Sequence, residues 1–161
     1  MPEDVREQSD VTVRVTESRE NYSRQHTVLD TPDGVDPGYL QSNARVDLAA
    51  LASLALAPAS PVVTDANGRP RIDRGESGYD AKLSWTPSAG ATAYRLFWRK
   101  AWSVDWEHEM ALGDVAEALL PDVSIDDYVF GVAAVDASGH ESLVTAYVVP
   151  TRAKFVVKQR M

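Results

Sequence analysis

Apolar and polar residues alternate in several short stretches along the second half of the chain. Alternation with a period of two is typical of β-strands that bury one face. The apolar positions are Ala81, Leu83 and Trp85, then Tyr94, Leu96 and Trp98, and later Tyr128, Phe130, Val132 and Ala134. Further strands are expected at 106–111 and 144–149, and turns at 87–90 and 136–139. Short strands at these intervals predict a β-sandwich over residues 62–150.

A separate strand is expected near the N-terminus, where Val11, Val13 and Val15 alternate with polar residues. A single strand is not stable in water, so it needs a pairing partner in this chain or beyond it. The polar residues at 17–35 that follow predict a loop, because Asp, Thr, Pro and Gly are clustered at 30–34.

The next element is predicted to be a helix with a clear start. Asp36 is suited to the N-cap and Pro37 to the first helical position. Apolar residues follow at helical spacing, and the run 48–57 is apolar on nearly every side, which predicts cover by more than one partner. The prolines at 58 and 61 end the helix. We therefore predict a segment at 1–57, a linker at 58–61, a sandwich at 62–150 and a basic tail at 151–161.

Composition narrows the function classes. The chain has 161 residues, a net charge of −8 and no cysteine. An acidic chain without a basic stripe is a poor nucleic-acid binder, and the absence of cysteine excludes disulfides, thiolate zinc sites and cysteine nucleophiles. No apolar run reaches the ~18 residues of a membrane span. The polar first ten residues predict that the chain has no signal peptide.

One polar segment carries a candidate metal ligand. The run at 26–31, His-Thr-Val-Leu-Asp-Thr, together with the helix after it, resembles the last metal-ligand segment of the M28 family of zinc aminopeptidases. The resemblance implies that His26 binds zinc and that Asp30 orients the histidine or braces the loop. It further implies that the cofactor is zinc, that the substrate is a peptide, and that the location is secreted or periplasmic.

This resemblance covers only part of such an enzyme. A two-metal hydrolase holds its ions about 3.5–4 Å apart with several carboxylate and histidine ligands and a general base. The chain has no early His-x-Asp and no Glu-Glu pair, while Glu17 and Glu20 match no ligand of the family. We therefore expect a C-terminal fragment that is inactive alone and has no catalytic residue of its own. Its expected partners are a missing N-terminal catalytic portion, or a second copy through the helix at 36–57.

The second half of the chain resembles a fibronectin type III domain. The matching residues are Leu83-Ser-Trp85, the run at 94–99, and the run at 128–139. The resemblance implies that Trp85 anchors the core and that Tyr128 forms the tyrosine corner before the sixth strand. The fold class is thus mostly β, with a strand–loop–helix segment of an α/β metallopeptidase domain before a sandwich. An alternative function is a stand-alone interaction module that binds protein or carbohydrate.

Aromatic residues suggest where such a module would bind. Trp98, Trp102 and Trp106, with His108, are consistent either with a platform for sugar or peptide or with core and edge packing. Trp102 is the best platform member, since the resemblance assigns Trp98 and Trp106 to packing. The run Ser-Gly-His-Glu at 138–141 is expected to be a loop, because adjacent residues in a turn do not make a catalytic triad.

Overall fold

The computed structural model describes residues 22–148. The strand expected at 11–16, the residues Glu17 and Glu20, and the tail at 151–161 lie outside the described residues. The chain divides into two compact units, of which the first ends at Ala50 and the second begins at Leu51. The linker expected at 58–61 stays a prediction, although Pro61 itself is fully buried.

The helix α1, Pro37–Leu56, begins where the sequence predicts. Asp36 Oδ1 accepts the backbone N–H groups of Gly38 (2.8 Å) and Tyr39 (3.1 Å), while Pro37 has no N–H to satisfy. A short 3-10 helix, Pro32–Gly34, precedes it. Within residues 22–148 no helix is both long and apolar enough to cross a membrane.

The apolar side chains of α1 are exposed. None of its residues is buried, and Leu48, Leu51 and Leu54 are 65%, 65% and 50% exposed. The expectation that this helix is covered by more than one partner is therefore not met by the part of the chain that the structure describes.

Seven strands form two antiparallel sheets. They are β1 (Ile72–Asp73), β2 (Ala81–Ser84), β3 (Ala93–Lys100), β4 (His108–Leu112), β5 (Glu117–Leu120), β6 (Tyr128–Val135) and β7 (Thr145–Ala146). One sheet has the order β1-β2-β5 and the other β4-β3-β6-β7. The prediction of a mostly β fold with a two-sheet sandwich is thus confirmed. The strands β1 and β5 were not predicted from the sequence.

The inner faces of the two sheets form the core. Trp85 packs against Tyr94 with ring centroids 5.3 Å apart, and both rings are almost completely buried. The inward residues predicted in β2, β3 and β6 lie in or against this core, as expected. The buried cluster consists of Val63, Ala81, Leu83, Trp85, Tyr94, Leu96, Leu120, Phe130, Val132, Ala134 and Tyr147. Burial of this apolar surface is the main favourable contribution to folding.

The outer face of the four-stranded sheet carries a second, smaller apolar contact. Phe97 shares the outward face of β3 with Arg95 and Arg99, which predicts exposure, yet it is only 8% exposed. The ring of Trp106 covers it at a centroid distance of 6.0 Å. Trp106 can approach because Gly131, the partner of Phe97 on β6, has no side chain. The packing interpretation of Trp106 agrees with this contact.

Tyr147 links the two sheets by a hydrogen bond. Its hydroxyl lies just beyond β7 and donates to the backbone oxygen of Ser84 at the end of β2, at 2.9 Å. Burial raises the pKa of the Tyr147 phenol. The neutral phenol is therefore the form that the fold favours.

Replacing Gly131 by alanine should destabilise the sandwich. A Cβ at this position would lie 2.5 Å from Val144 Cγ1 and 2.9 Å from Trp106. Overpacking of this kind costs about 1–3 kcal/mol in the free energy of unfolding. Urea denaturation would measure the change. Gly113→Ala is the matched control, since its Cβ would meet nothing within 4 Å. Equal stability of the two variants would contradict the contact.

Tyr147→Phe should lower stability by about 1 kcal/mol at neutral pH, because one hydrogen bond is lost. The raised pKa means that the tyrosine contribution is complete below the unfolded pKa of about 10 and is lost as pH rises toward the folded value. The difference between wild type and variant should therefore shrink at about pH 11. Tyr79→Phe, at a 73% exposed position, should show neither effect in the same urea titrations.

Candidate functional site

The candidate metal-ligand segment is a series of tight turns. The backbone N–H groups of Gln25, Thr27 and Asp30 donate to the carbonyl oxygens three residues earlier, at 3.1–3.2 Å. The Thr27 hydroxyl donates to the Arg24 oxygen at 2.7 Å and accepts the N–H of Leu29 at 3.1 Å. These local hydrogen bonds fix the shape of the loop around His26.

His26 is exposed and has a left-handed backbone conformation, with φ of 60°. A non-glycine residue rarely adopts this conformation, and local hydrogen bonds have to hold it. The His26 N–H donates to Asp30 Oδ2 at 3.3 Å. This contact agrees with the expected loop-bracing role of Asp30, and it engages the histidine backbone rather than its ring.

The donors around His26 do not make a zinc site by themselves. A catalytic zinc ion needs about three protein ligands. Within residues 22–148, no group of three or more histidine and carboxylate side chains is placed to hold a metal ion. The described residues therefore do not fit the expected zinc ion. The role of His26 as a ligand stays a prediction that requires donors from outside this set.

The other two histidines have local partners. His140 Nδ1 lies 2.9 Å from Asp136 Oδ2, and Asp136 Oδ1 accepts the backbone N–H groups of Ser138 and His140. The hydrogen bond with His140 lowers the pKa of Asp136. The pair closes the turn between β6 and β7. The interpretation of residues 138–141 as a loop is confirmed.

His108 belongs to a cluster at one end of the four-stranded sheet. It stacks on Trp98 with centroids 5.1 Å apart and a 20° interplanar angle. Lys100 Nζ lies 4.0 Å from the centre of the Tyr128 ring and 5.7 Å from that of Trp102. We call Trp98, Lys100, Trp102, His108 and Tyr128 the aromatic–lysine cluster.

Two members of this cluster were missed from the sequence. Lys100 and Tyr128 are paired across β3 and β6, and the contact with Tyr128 raises the pKa of Lys100. Lys100 follows Trp98 by two positions, so the same strand face carries both, and this spacing is the signal that sequence reasoning could have used. Tyr128, expected at the tyrosine corner, contacts Lys100, His108 and Phe130.

Trp102 is the exposed member of the cluster. It is 78% exposed, whereas Trp98 packs against the core and Trp106 covers Phe97 on the other face of the sheet. The three tryptophans therefore do not form one platform. Only Trp102, with Lys100 beside it, offers a largely free ring face to a ligand.

Comparison with known proteins finds relatives that are named probable zinc metalloproteases. No protein-family model matches it. It is 36% identical over 148 residues to a "probable zinc metalloprotease" of Pyricularia oryzae, an alignment that covers 83% of this chain and 28% of that protein. A protein of the same name in Pyrenophora tritici-repentis is 30% identical, with 81% and 28% covered. The chain thus spans less than a third of the length of these relatives.

Solved structures of fibronectin type III domains resemble the sandwich. The FN3 domain of human collagen XX is 22% identical, and the match covers 56% of this chain and 90% of that one with a TM-score of 0.41. An Fn3-like protein from Clostridium thermocellum gives 22% identity, 56% and 88% coverage and a TM-score of 0.41.

Proposed function

We propose that the chain is the C-terminal part of a zinc metallopeptidase of the M28 type, an aminopeptidase that removes N-terminal residues from peptides. The observation that carries this proposal is the 36% identity to a probable zinc metalloprotease across 83% of the chain. The chain spans 28% of that relative, so the proposal assigns the remaining metal ligands and the general base to the other part of the enzyme. By itself the chain is then inactive.

Within the whole enzyme, His26 would contribute one imidazole to the zinc centre. Its exposure and its place in a hydrogen-bonded turn support this role, because a ligand has to be accessible and held in position. Asp30 acts on the backbone of the loop. Removing the Asp30 carboxylate would free the His26 backbone to leave its left-handed conformation, so Asp30 is a positioning residue.

The exposed side chains of α1 support the same proposal. The leucines at 48, 51 and 54 are half exposed or more, and apolar surface of this kind is typical of an interface. We infer that the remainder of the peptidase domain covers α1 in the whole enzyme. In its absence, a second copy of the chain would cover the helix.

Zinc binding to the isolated chain should be weak and should depend on His26. One imidazole without further ligands binds zinc poorly, which is why metal sites combine several donors. We expect weak binding in calorimetry, with less heat in His26→Ala than in the wild type. In NMR of the wild type, zinc should shift the His26 ring signals. No amide hydrolysis should be detected with an aminoacyl anilide.

His108→Ala is the control, because it also removes an exposed histidine, but one that belongs to the aromatic–lysine cluster and not to the loop around His26. Zinc binding that is unchanged in His26→Ala, or reduced equally in both variants, would contradict the ligand role. Tight binding of one equivalent would contradict the proposal that further ligands lie elsewhere.

A second candidate function is an interaction module in which the sandwich binds carbohydrate or protein. The exposed ring of Trp102 beside Lys100 favours it. An indole face can stack on the apolar face of a sugar, and the ammonium group can donate to hydroxyl groups. This function needs no group beyond the sandwich.

Variants of Trp102 and Trp106 should distinguish an exposed tryptophan that could bind a ligand from one that packs against the sheet. Trp102→Ala should leave the free energy of unfolding nearly unchanged, because the side chain is 78% exposed. Trp106→Ala should lower it by about 2–3 kcal/mol, since Phe97 would lose its cover.

If the sandwich binds sugars, an array of neutral oligosaccharides should retain the wild type and Trp106→Phe but not Trp102→Ala. Equal retention of Trp102→Ala would exclude Trp102 as the binding surface.

A further inference from the structure

A tight hairpin turn lies between Thr64 and Pro70, which form an isolated antiparallel bridge. Asp65 organises it. Its Oδ1 accepts the backbone N–H groups of Asn67 (2.8 Å) and Arg69 (2.9 Å), and its own N–H donates to the Arg69 oxygen at 2.8 Å. The Asp65 carboxylate is therefore the acceptor on which the shape of this turn depends.

The tip of the turn is Asn67 followed by Gly68. Asn67 is exposed. Gly68 has φ of +75°, and a Cβ built on it would meet nothing within 4 Å. An amide side chain next to a glycine nitrogen is a reactive pair, because no side chain of the following residue hinders approach of that nitrogen to the amide carbon.

We propose that Asn67 is a site of spontaneous modification, and that the hydrogen bonds of Asp65 slow the reaction. The Gly68 nitrogen attacks the Asn67 side-chain carbon, a C–N bond forms, and the amide leaves as ammonia after proton transfer from the attacking nitrogen. Water then opens the cyclic imide at either carbonyl. The product is aspartate or isoaspartate at position 67, and each adds one negative charge.

The turn holds the reacting atoms apart in two ways. The Gly68 N–H donates to the backbone carbonyl oxygen of Asp65 at 3.0 Å, so the attacking nitrogen has to leave this hydrogen bond first. The Asn67 N–H is held by the Asp65 carboxylate, which limits rotation of the Asn67 backbone toward the geometry that closes the ring. The reaction therefore proceeds through the opened turn, and its rate follows the population of that state.

The modification would have a local structural consequence. Isoaspartate adds one backbone carbon at the tip of the hairpin and brings a carboxylate beside Gly68. Gly68 lines an apolar groove with Val62, Val63, Thr145 and Val148. The new charge therefore lies at the rim of this groove.

Peptide mass spectrometry of the folded full chain tests the proposal. Trypsin cuts after Arg45 and Arg71, while Arg69 is protected by the proline after it, so the peptide 46–71 contains Asn67 as its only asparagine. The peptide 25–45 contains Asn43, which precedes alanine and serves as the internal reference. The chain is incubated at neutral pH, folded and in urea, before digestion.

We expect conversion of Asn67 and not of Asn43, faster in urea than in the folded chain. Asp65→Ala removes the two hydrogen bonds that the carboxylate accepts, so it should accelerate the folded-state reaction by roughly fivefold or more. Asn67→Gln should remove the product while circular dichroism shows that the fold remains. No conversion of Asn67 in urea would overturn the site. Equal rates in folded wild type, urea and Asp65→Ala would overturn the role of Asp65.

Discussion

The pairing of β3 with β6 is the interaction on which the rest of the sandwich depends. Eight registered pairs run from Ala93 opposite Val135 to Lys100 opposite Tyr128. On the inner face this register places Tyr94 opposite Ala134, so a large side chain meets a small one. On the outer face it places Phe97 opposite Gly131, which opens the space that Trp106 fills. A slip of one residue would exchange the two faces and lose both contacts.

The same register decides how much of the fold the sequence could predict. β2 and β3 alternate between polar and apolar residues because one face of each meets the core. β6 has no charged residue and is buried at every position from 130 to 134. The inward residues predicted in all three strands lie in or against the core. β1 has only two residues, and β5 carries three apolar residues in a row at 118–120, so its sequence shows no alternation although its burial does. Their positions come from pairing with β2, which is information that no local pattern contains.

Phe97 and α1 show that local sequence does not determine whether an apolar side chain is buried. Phe97 occupies an outward position of β3 and is buried, because a residue nine positions later folds over it. α1 has the apolar side chains of a covered helix and exposes them among the described residues. Its start was predicted because Asp36 and Pro37 act within one turn. A helix cap is formed by residues next to the end of the helix, whereas burial of the helix's apolar side chains requires a partner that the local sequence does not specify.

The candidate sites differ in the same way, because some of their features are set by local contacts and others by tertiary structure. The loop around His26 is shaped by contacts within five residues, so the sequence could place the imidazole in a turn. A metal centre needs donors that only tertiary structure brings together, and one histidine cannot supply them. The aromatic–lysine cluster differs, because strand pairing within the sandwich assembles all of it except Trp102, which follows Lys100 by two positions. The proposed metal ligation by His26 therefore depends on groups beyond the described residues. The proposed recognition at Trp102 requires only the sandwich, so it does not depend on peptidase activity.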